Sequence, residues 1–268
     1  MRKVFSIALL IFAFSASAFG TAPSIPSTCG GGSSACICQA NNNGANSASC
    51  TINGVSGTVG VLVHTAWAGA LGSNTVTVSD SSSGGGTADT FQVGNACAGI
   101  QFGIPPLYVA CSHYVCKSKL AAGNFTFTST ASGSGMGYYN IDVEILSGAA
   151  ISGCYDQSGA WSASASTFFV YTGCTNSGSC PGAGGKITNS SELAISFVAA
   201  PVVPTPVSPF SSIQTYGGFD SASMQNPTQG AALEATWSAS SANYVAIIDT
   251  FSASSLASPH IRHSVKQQ

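Results

Sequence analysis

The sequence predicts an all-β fold, namely a two-sheet antiparallel β-sandwich of about ten strands that is stapled by disulfide bonds. Short segments alternate apolar and polar residues with a period of two, and clusters of Gly, Ser and Asn separate them at short intervals. The ten cysteines all lie within the first 180 residues. No window shows the periodicity and capping residues of a helix.

Residues 1–20 predict a secretory signal peptide. Two basic residues precede an uninterrupted apolar run at 4–14, and small residues follow it, so cleavage is expected near Ala18 or Gly20. The run is too short to cross a bilayer. We therefore expect a secreted or cell-surface protein with no transmembrane segment in the mature chain.

Charged residues are scarce. The chain has 7 Lys+Arg and 9 Asp+Glu, and loss of two basic residues with the signal leaves a net charge of 5 − 9 = −4. This composition argues against nucleic acid and anionic membranes as partners, because both select basic patches. An extracellular polysaccharide or another surface protein is the expected partner, and no cofactor is expected.

The cysteines predict disulfide bonds, because an even number occurs in an exported chain without the Cys/His spacing of a zinc site. They fall into three groups, of which the first has four members and the other two have three each. We expect the first group to pair internally and at least one bridge to join the other two. The ten are Cys29, Cys36, Cys38, Cys50, Cys97, Cys111, Cys116, Cys154, Cys174 and Cys180.

Four regions follow from these patterns. A signal peptide (1–20) precedes a Cys/Gly/Ser/Asn-rich loop segment (21–57), a β-sandwich domain (58–252) and a flexible tail (253–268). Four prolines between 200 and 209 mark either a linker or a crossover between sheets. Strands are expected at 58–67, 75–80, 88–93, 107–117, 124–128, 138–146, 166–172, 191–198, 210–216, 232–238 and 243–251.

Asn140, Asp142 and Glu144 form a polar row, because residues two apart share a face of a strand. The row resembles the Glu-x-Asp-x-Glu strand of jelly-roll glucanases, which implies a carbohydrate hydrolase with Asp142 and Glu144 as its acid/base pair. Asn140 stands where that family has its nucleophile. We therefore expect a solvated strand face, with no catalytic residue in it.

Asp80 is the only candidate metal ligand that the sequence offers. It closes a Thr/Val strand before a Ser/Gly-rich turn, where an Asp usually hydrogen-bonds the nearby backbone. Calcium is the alternative, although it needs six to eight oxygens from several loops. His64 is expected on the face opposite Val61 and Val63 as a structural or solvated residue.

Aromatic residues offer a possible sugar-stacking surface, with Trp161, Tyr171 and Trp237 as the candidate binding residues. Tyr108, Tyr114 and Tyr138 complete the set. The alternative for all six is packing in the core or at a sheet edge.

The order of strand motifs resembles a class of bacterial secreted β-sandwich domains, Ig-like or jelly-roll-like, that has no assigned activity. The motifs are an apolar strand ending in Trp67, a Thr/Val strand ending in Asp80 and glycines, Glu144-Ile145-Leu146-Ser147-Gly148, Ser191-Glu192-Leu193, and an apolar strand ending in Phe251. The resemblance implies a fold and no catalytic residues. It favours a binding, adhesion or structural module, with a hydrolase or a self-assembling fibre subunit as alternatives.

Overall fold

The computed structural model describes residues 21–29, 36–55, 60–69, 75–82, 88–95, 97–100, 108–116, 123–133, 136–175 and 185–253. Among them there is no helix, and the fold is all-β as predicted. The strands are β1 (Ile37–Asn43), β2 (Ser47–Val55), β3 (Gly60–Gly69), β4 (Val76–Ser82), β5 (Gln92–Val93), β6 (Ala98–Ile100), β7 (Tyr108–Val115), β8 (Gly123–Ala131), β9 (Met136–Leu146), β10 (Tyr155–Tyr171), β11 (Glu192–Ala199), β12 (Thr205–Pro206), β13 (Ser211–Tyr216), β14 (Phe219–Gln225) and β15 (Glu234–Ser252).

The described strands form three antiparallel sheets, where the sequence predicted two sheets and fewer strands. The front sheet has the order β2-β8-β4. The central sheet has the order β1-β9-β3-β7-β5, and β6 also pairs with β7. The back sheet has the order β10-β15-β11-β14-β13, and β12 also pairs with β15.

One face of the central sheet packs on the front sheet. Val61, Val63 and Trp67 of β3 pack with Phe125 and Phe127 of β8 in one apolar cluster. These β3 residues share a face, as the alternation predicted, because their side chains leave the strand in the same direction.

The opposite face of the central sheet packs on the back sheet. Two apolar clusters fill this interface, one around Ala66 and Phe197 and the other around Leu62 and Phe251. The central strands β3 and β9 are therefore buried on both faces. Polar residues on the back-facing side of these strands are consequently enclosed in the protein.

The long strands β10 and β15 fold over the outer face of the back sheet. Their pairing shifts register between Ala165 and Thr167, and the two halves of the ribbon lie on either side of this shift. Beyond the shift, residues 167–171 of β10 pair with residues 234–238 of β15. Phe168 and Trp237 in these segments pack with Val198 and Ile248 of the back sheet. One continuous ribbon thus contributes to two layers.

Strands β1 and β2 lie in the segment that was expected to be a loop. The prediction of a loop is wrong for residues 37–55, because β1 pairs with β9 and β2 pairs with β8. Disulfide bonds Cys29–Cys36 and Cys38–Cys50 stay within this segment, as predicted. The second bond ties the central sheet to the front sheet, which explains how so polar a segment is held in two sheets.

Two further disulfide bonds fasten the central sheet. Cys97–Cys111 lies beside β6 and β7, and Cys116–Cys154 connects the end of β7 to the start of β10. The latter joins the second and third cysteine groups, as their odd counts required. Cys174 is also disulfide-bonded.

The outer face of the front sheet is a regular array of hydroxyl groups. Ser49 and Thr128 pair across β2 and β8 with their hydroxyl oxygens 2.7 Å apart, and Thr51 and Thr126 do so at 2.8 Å. The register extends the array to β4, where Ser79 lies opposite Thr128. This array explains why Thr alternates with apolar residues in these strands. The hydroxyl side chains face outward, and the apolar side chains between them face inward.

The chain on either side of the proline segment belongs to the same sheet. Strand β11 pairs with both β14 and β15, and β12 lies within the proline segment itself and pairs with β15. The segment therefore acts as a crossover. Strand β14 lies between the predicted strands at 210–216 and 232–238, where no strand was expected.

No helix in the described part of the chain is long and apolar enough to cross a membrane. The predicted signal peptide at 1–20 lies outside the described residues, and so does nearly all of the predicted tail, 254–268.

Candidate functional site

A belt of polar side chains crosses the interface between the central and back sheets. The register places His64 of β3 opposite Asp142 of β9 on one side and Ser112 of β7 on the other. These three residues are fully buried, and so is Glu144, one alternation further along β9. Asp249 of β15 enters the belt from the back sheet and is also fully buried.

His64 lies between two carboxyl groups. Its Nε2 is 3.2 Å from Oδ2 of Asp249, and its Nδ1 is 3.5 Å from Oε2 of Glu144. Its ring stacks on Phe197, with centroids 5.0 Å apart. Burial alone would lower the pKa of His64, but Glu144 and Asp249 raise it to about 10.

Asp249 is held by hydrogen-bond donors. Its Oδ1 accepts from Asn95 Nδ2 at 2.8 Å, from Ser112 Oγ at 3.1 Å and from the hydroxyl group of Tyr155. Burial and the neighbouring Asp249 raise the pKa of Tyr155, so its phenol keeps the proton that it donates. Asp249 is thus fixed in orientation, and its second oxygen is directed at His64.

Asp142 and Glu144 are incompletely hydrogen-bonded. Gln214 Nε2 donates to Oδ1 of Asp142, but Oδ2 of Asp142 and both carboxyl oxygens of Glu144 are buried without a hydrogen-bond partner among the described residues. Burial, with Glu144 adding to it, raises the pKa of Asp142 well above its ordinary value. Buried carboxyl oxygens without partners are costly, so this arrangement calls for an explanation.

The expectation that Asp142 and Glu144 face solvent is wrong. The alternation placed them correctly on the face opposite Ile141 and Val143, but the back sheet covers that face. A third sheet, which a period-two pattern cannot reveal, explains the difference. The pair is enclosed where no polysaccharide chain can reach it.

A surface cleft of about 630 Å³ opens at the edge of the same interface. Tyr138 and Tyr216 stand at its rim and are half exposed, at 51% and 49%. Tyr108 and Phe219 lie deeper and contact one another with ring centroids 6.3 Å apart. We call it the tyrosine–asparagine cleft, and its remaining walls are Asn41, Asn42, Asn43, Ala200, Pro201 and Gly217.

No formally charged side chain lines this cleft. Burial and the adjacent Tyr138 raise the pKa of Tyr108, so that phenol is neutral. The Oδ1 atom of Asn41 is buried and has no hydrogen-bond partner among the described residues. The cleft therefore offers aromatic faces and amide groups, which suits an uncharged polar ligand.

No family model matches the chain, and no curated protein matches it. Function is therefore inferred from the geometry and chemistry of the belt and of the cleft.

The aromatic candidates of the sequence have different environments. Trp237 belongs to the folded-over ribbon and is fully buried between the ribbon and the back sheet, so it cannot stack on a ligand. Trp161 and Tyr171 are partly exposed on β10, where Phe169 lies between them at centroid distances of 6.2 and 5.9 Å. They form a short aromatic row on the back sheet, away from the tyrosine–asparagine cleft.

Asp80 makes the local backbone contact that its turn position suggested. Its Oδ1 accepts the amide of Asp89 at 2.8 Å, and the side chain is nearly buried. Burial and the nearby Asp89 raise the pKa of Asp80.

Sequence reasoning missed three parts of the site. It did not single out Asp249, because this residue is an isolated acid in an otherwise apolar strand segment and matches no known motif. It placed no function on Asn41–Asn43, which looked like loop residues. It included Tyr108 and Tyr138 only as members of a longer aromatic list, and an unusual triple Asn was the one signal that could have found the cleft.

Proposed function

We propose that this chain is a secreted or cell-surface β-sandwich module that binds a neutral carbohydrate in the tyrosine–asparagine cleft. The observation that carries the proposal is the cleft's composition, which combines four aromatic rings and three consecutive Asn residues with no charge. Aromatic rings pack on the apolar faces of sugar rings, and amides donate to and accept from hydroxyl groups. Its size lies within the usual range of ligand sites.

The cleft is better suited to this role than the aromatic row on β10. Tyr138 and Tyr216 line a concavity, whereas Trp161, Phe169 and Tyr171 form a row of rings that contact each other. A concave site removes more of a ligand's surface from water. Disulfide bonds that fasten the central sheet support an extracellular setting for the protein.

Burial argues against the alternative of a carbohydrate hydrolase. A general acid must reach the glycosidic oxygen through at most one water molecule. Asp142 and Glu144 are fully enclosed between two sheets, so neither carboxyl group can approach a sugar. Binding without turnover is the outcome that this geometry supports.

The test is a glycan-array screen of the purified mature chain, followed by calorimetric titration with the best neutral oligosaccharide. We expect Tyr138→Ala and Tyr216→Ala each to weaken binding by at least ~10-fold, since each removes a stacking face. Tyr171→Ala is the matched control, because it removes a partly exposed Tyr outside the cleft, and it should bind as the wild type does. Absence of any neutral ligand, or equal loss in the control, would overturn the proposal.

A further inference from the structure

The polar belt contains a group of side chains with the spacing of metal ligands. One nitrogen of His64 and one oxygen each of Asp142 and Glu144 lie within 4.8 Å of one another. All three residues are fully buried. We propose that the chain binds one divalent transition-metal ion between its central and back sheets, with His64 Nδ1, Asp142 and Glu144 as the protein ligands.

Each of the three residues has at least one polar atom without a hydrogen-bond partner. His64 Nδ1, Asp142 Oδ2 and both carboxyl oxygens of Glu144 lack hydrogen-bond partners in the described part of the chain. The other polar side-chain atoms of His64 and Asp142 already have partners. His64 Nε2 contacts Asp249, and Asp142 Oδ1 accepts a hydrogen bond from Gln214. An ion between the free atoms would satisfy all of them at once.

Asp249 acts as a positioning residue for this site. Its Oδ2 is 3.2 Å from His64 Nε2 and can accept the N–H of that nitrogen, so Nδ1 is the nitrogen left to bind an ion on the Glu144 side. Asp249 is itself oriented by Asn95 and Ser112. A His that donates its second N–H to a carboxylate is the usual outer shell of a metal-binding His.

The charge balance of the belt also favours a cation. Asp142, Glu144 and Asp249 are enclosed with one His, and Lys186, the only Lys or Arg in the described part of the chain, is exposed elsewhere. Uncompensated carboxylates are expensive in a low-dielectric interior. A doubly charged ion would offset two of them.

The ligand set selects the class of ion. One imidazole nitrogen with two carboxylates suits zinc or manganese, whereas calcium and magnesium prefer sites made of oxygen alone. Zinc is the ion of choice for the test, because it accepts four-coordinate sites of nitrogen and oxygen. The competing arrangement is a metal-free belt in which a protonated His64 bridges Glu144 and Asp249.

The experiment loads the full mature chain with zinc during oxidative refolding, since a fully buried ion has to enter before the sheets close. After gel filtration in metal-free buffer, elemental analysis should find about one zinc ion per chain. Calcium loaded in the same way should not be retained. Zinc-loaded protein should also melt at a higher temperature than protein refolded with a chelator.

Asp142→Asn and Glu144→Gln are the test variants, because each keeps the shape of the side chain and removes its charge. Both variants should fold, since neutralising a buried carboxyl group relieves repulsion. The zinc affinity of each should be at least ~10-fold lower than that of the wild type. Glu192→Gln is the matched control. Glu192 is equally buried, but its Oε1 accepts the Asn189 amide and it lies outside the ligand set, so this variant should retain zinc.

The Asp249→Asn variant should bind zinc more weakly than the wild type but should still bind it, as expected when a positioning residue is replaced. Replacement by cobalt gives a second readout, because ligand-field absorption of the bound ion should change in this variant. Wild-type protein that folds without retaining zinc or manganese would overturn the proposal, and so would equal retention by Glu144→Gln. Nitrogen-15 spectra showing both His64 nitrogens protonated after zinc loading would establish the metal-free bridge instead.

Discussion

His64 and Asp249 are 185 residues apart in the chain, yet Nε2 of one lies 3.2 Å from Oδ2 of the other in the enclosed centre of the protein. The pair joins the central sheet to the back sheet across an interface that also contains two apolar clusters. The contact therefore sets how the sheets are aligned, in addition to whatever ligand the belt holds.

Replacing Asp249 with Asn should destabilise the protein by about 3 kcal/mol, as for other buried pairs that lose one partner. Oδ1 of Asp249 accepts three donors, and Oδ2 faces His64. In the variant, one of these positions becomes an amide that donates. Urea denaturation of the mature chain measures the change.

Glu234→Gln is the control for this prediction, because it neutralises an acid that is exposed at the start of β15. It should change the free energy of unfolding by about 0.5 kcal/mol or less. If both variants had equal stability, His64 and Asp249 would not form a specific pair.

The sequence predicted most of the strands but could not predict what covers them. The alternation in 138–146 identified which residues share a face, and the structure places Ile141 and Val143 together against the front sheet. It gave no indication that Asp142 and Glu144 would be covered as well. The strands that cover them, such as β11 and β15, come much later in the chain.

The candidate sites show the same limit more sharply. His64 faces Asp142 only because β3 and β9 pair in one particular register. Asp249 is brought to them by a third element of the fold. The cleft collects residues from β1, β7, β9, β13 and β14, and no spacing along the chain links Asn41 to Tyr216.

Gly159 is placed where only glycine fits. A Cβ atom at this position would collide with the backbone carbonyl oxygen of Tyr171, because the end of β10 folds back against its beginning. Gly159→Ala should therefore cost more than about 2 kcal/mol or prevent folding. Gly137→Ala is the comparison, since its nearest neighbour would be 3.5 Å from the new Cβ atom, and its melting temperature should stay close to that of the wild type.

The disulfide bonds should differ in what they contribute to stability. Cys116–Cys154 closes a separation of 38 residues, whereas Cys29–Cys36 closes one of 7. Loss of unfolded-chain entropy predicts contributions of about 4 and about 2 kcal/mol. Double Cys→Ala variants at each bond, compared by denaturant unfolding, test the order. Mass spectrometry of non-reduced peptides first checks the pairing, and a smaller effect at Cys116–Cys154 would contradict the argument.

Stability should fall as the pH rises, which is opposite to ordinary acid denaturation. Glu192 is fully buried beside Asp156, whose oxygens accept the amide and hydroxyl groups of Thr188. Burial, together with Asp156, raises the pKa of Glu192 from 4.5 to about 7.

A carboxyl group whose pKa is higher in the folded state binds its proton more tightly there. The stabilisation is therefore complete below the unfolded value of 4.5 and is lost as the pH rises through about 7. Burial likewise raises the pKa of Asp220 to about 6, so it acts in the same direction. The free energy of unfolding should be highest in mild acid.

Glu192→Gln tests the contribution of this one group. Gln is neutral at every pH, so the variant should match the wild type at pH near 4.5 and be more stable by about 3 kcal/mol at pH near 8. Urea denaturation at a series of pH values measures both curves, and Glu234→Gln, which changes an exposed acid, should follow the wild-type curve. A wild-type stability that rises between pH 4.5 and 8, with Glu192→Gln running parallel to it, would show that Glu192 is ionised in the folded protein and that the sign of this argument is wrong.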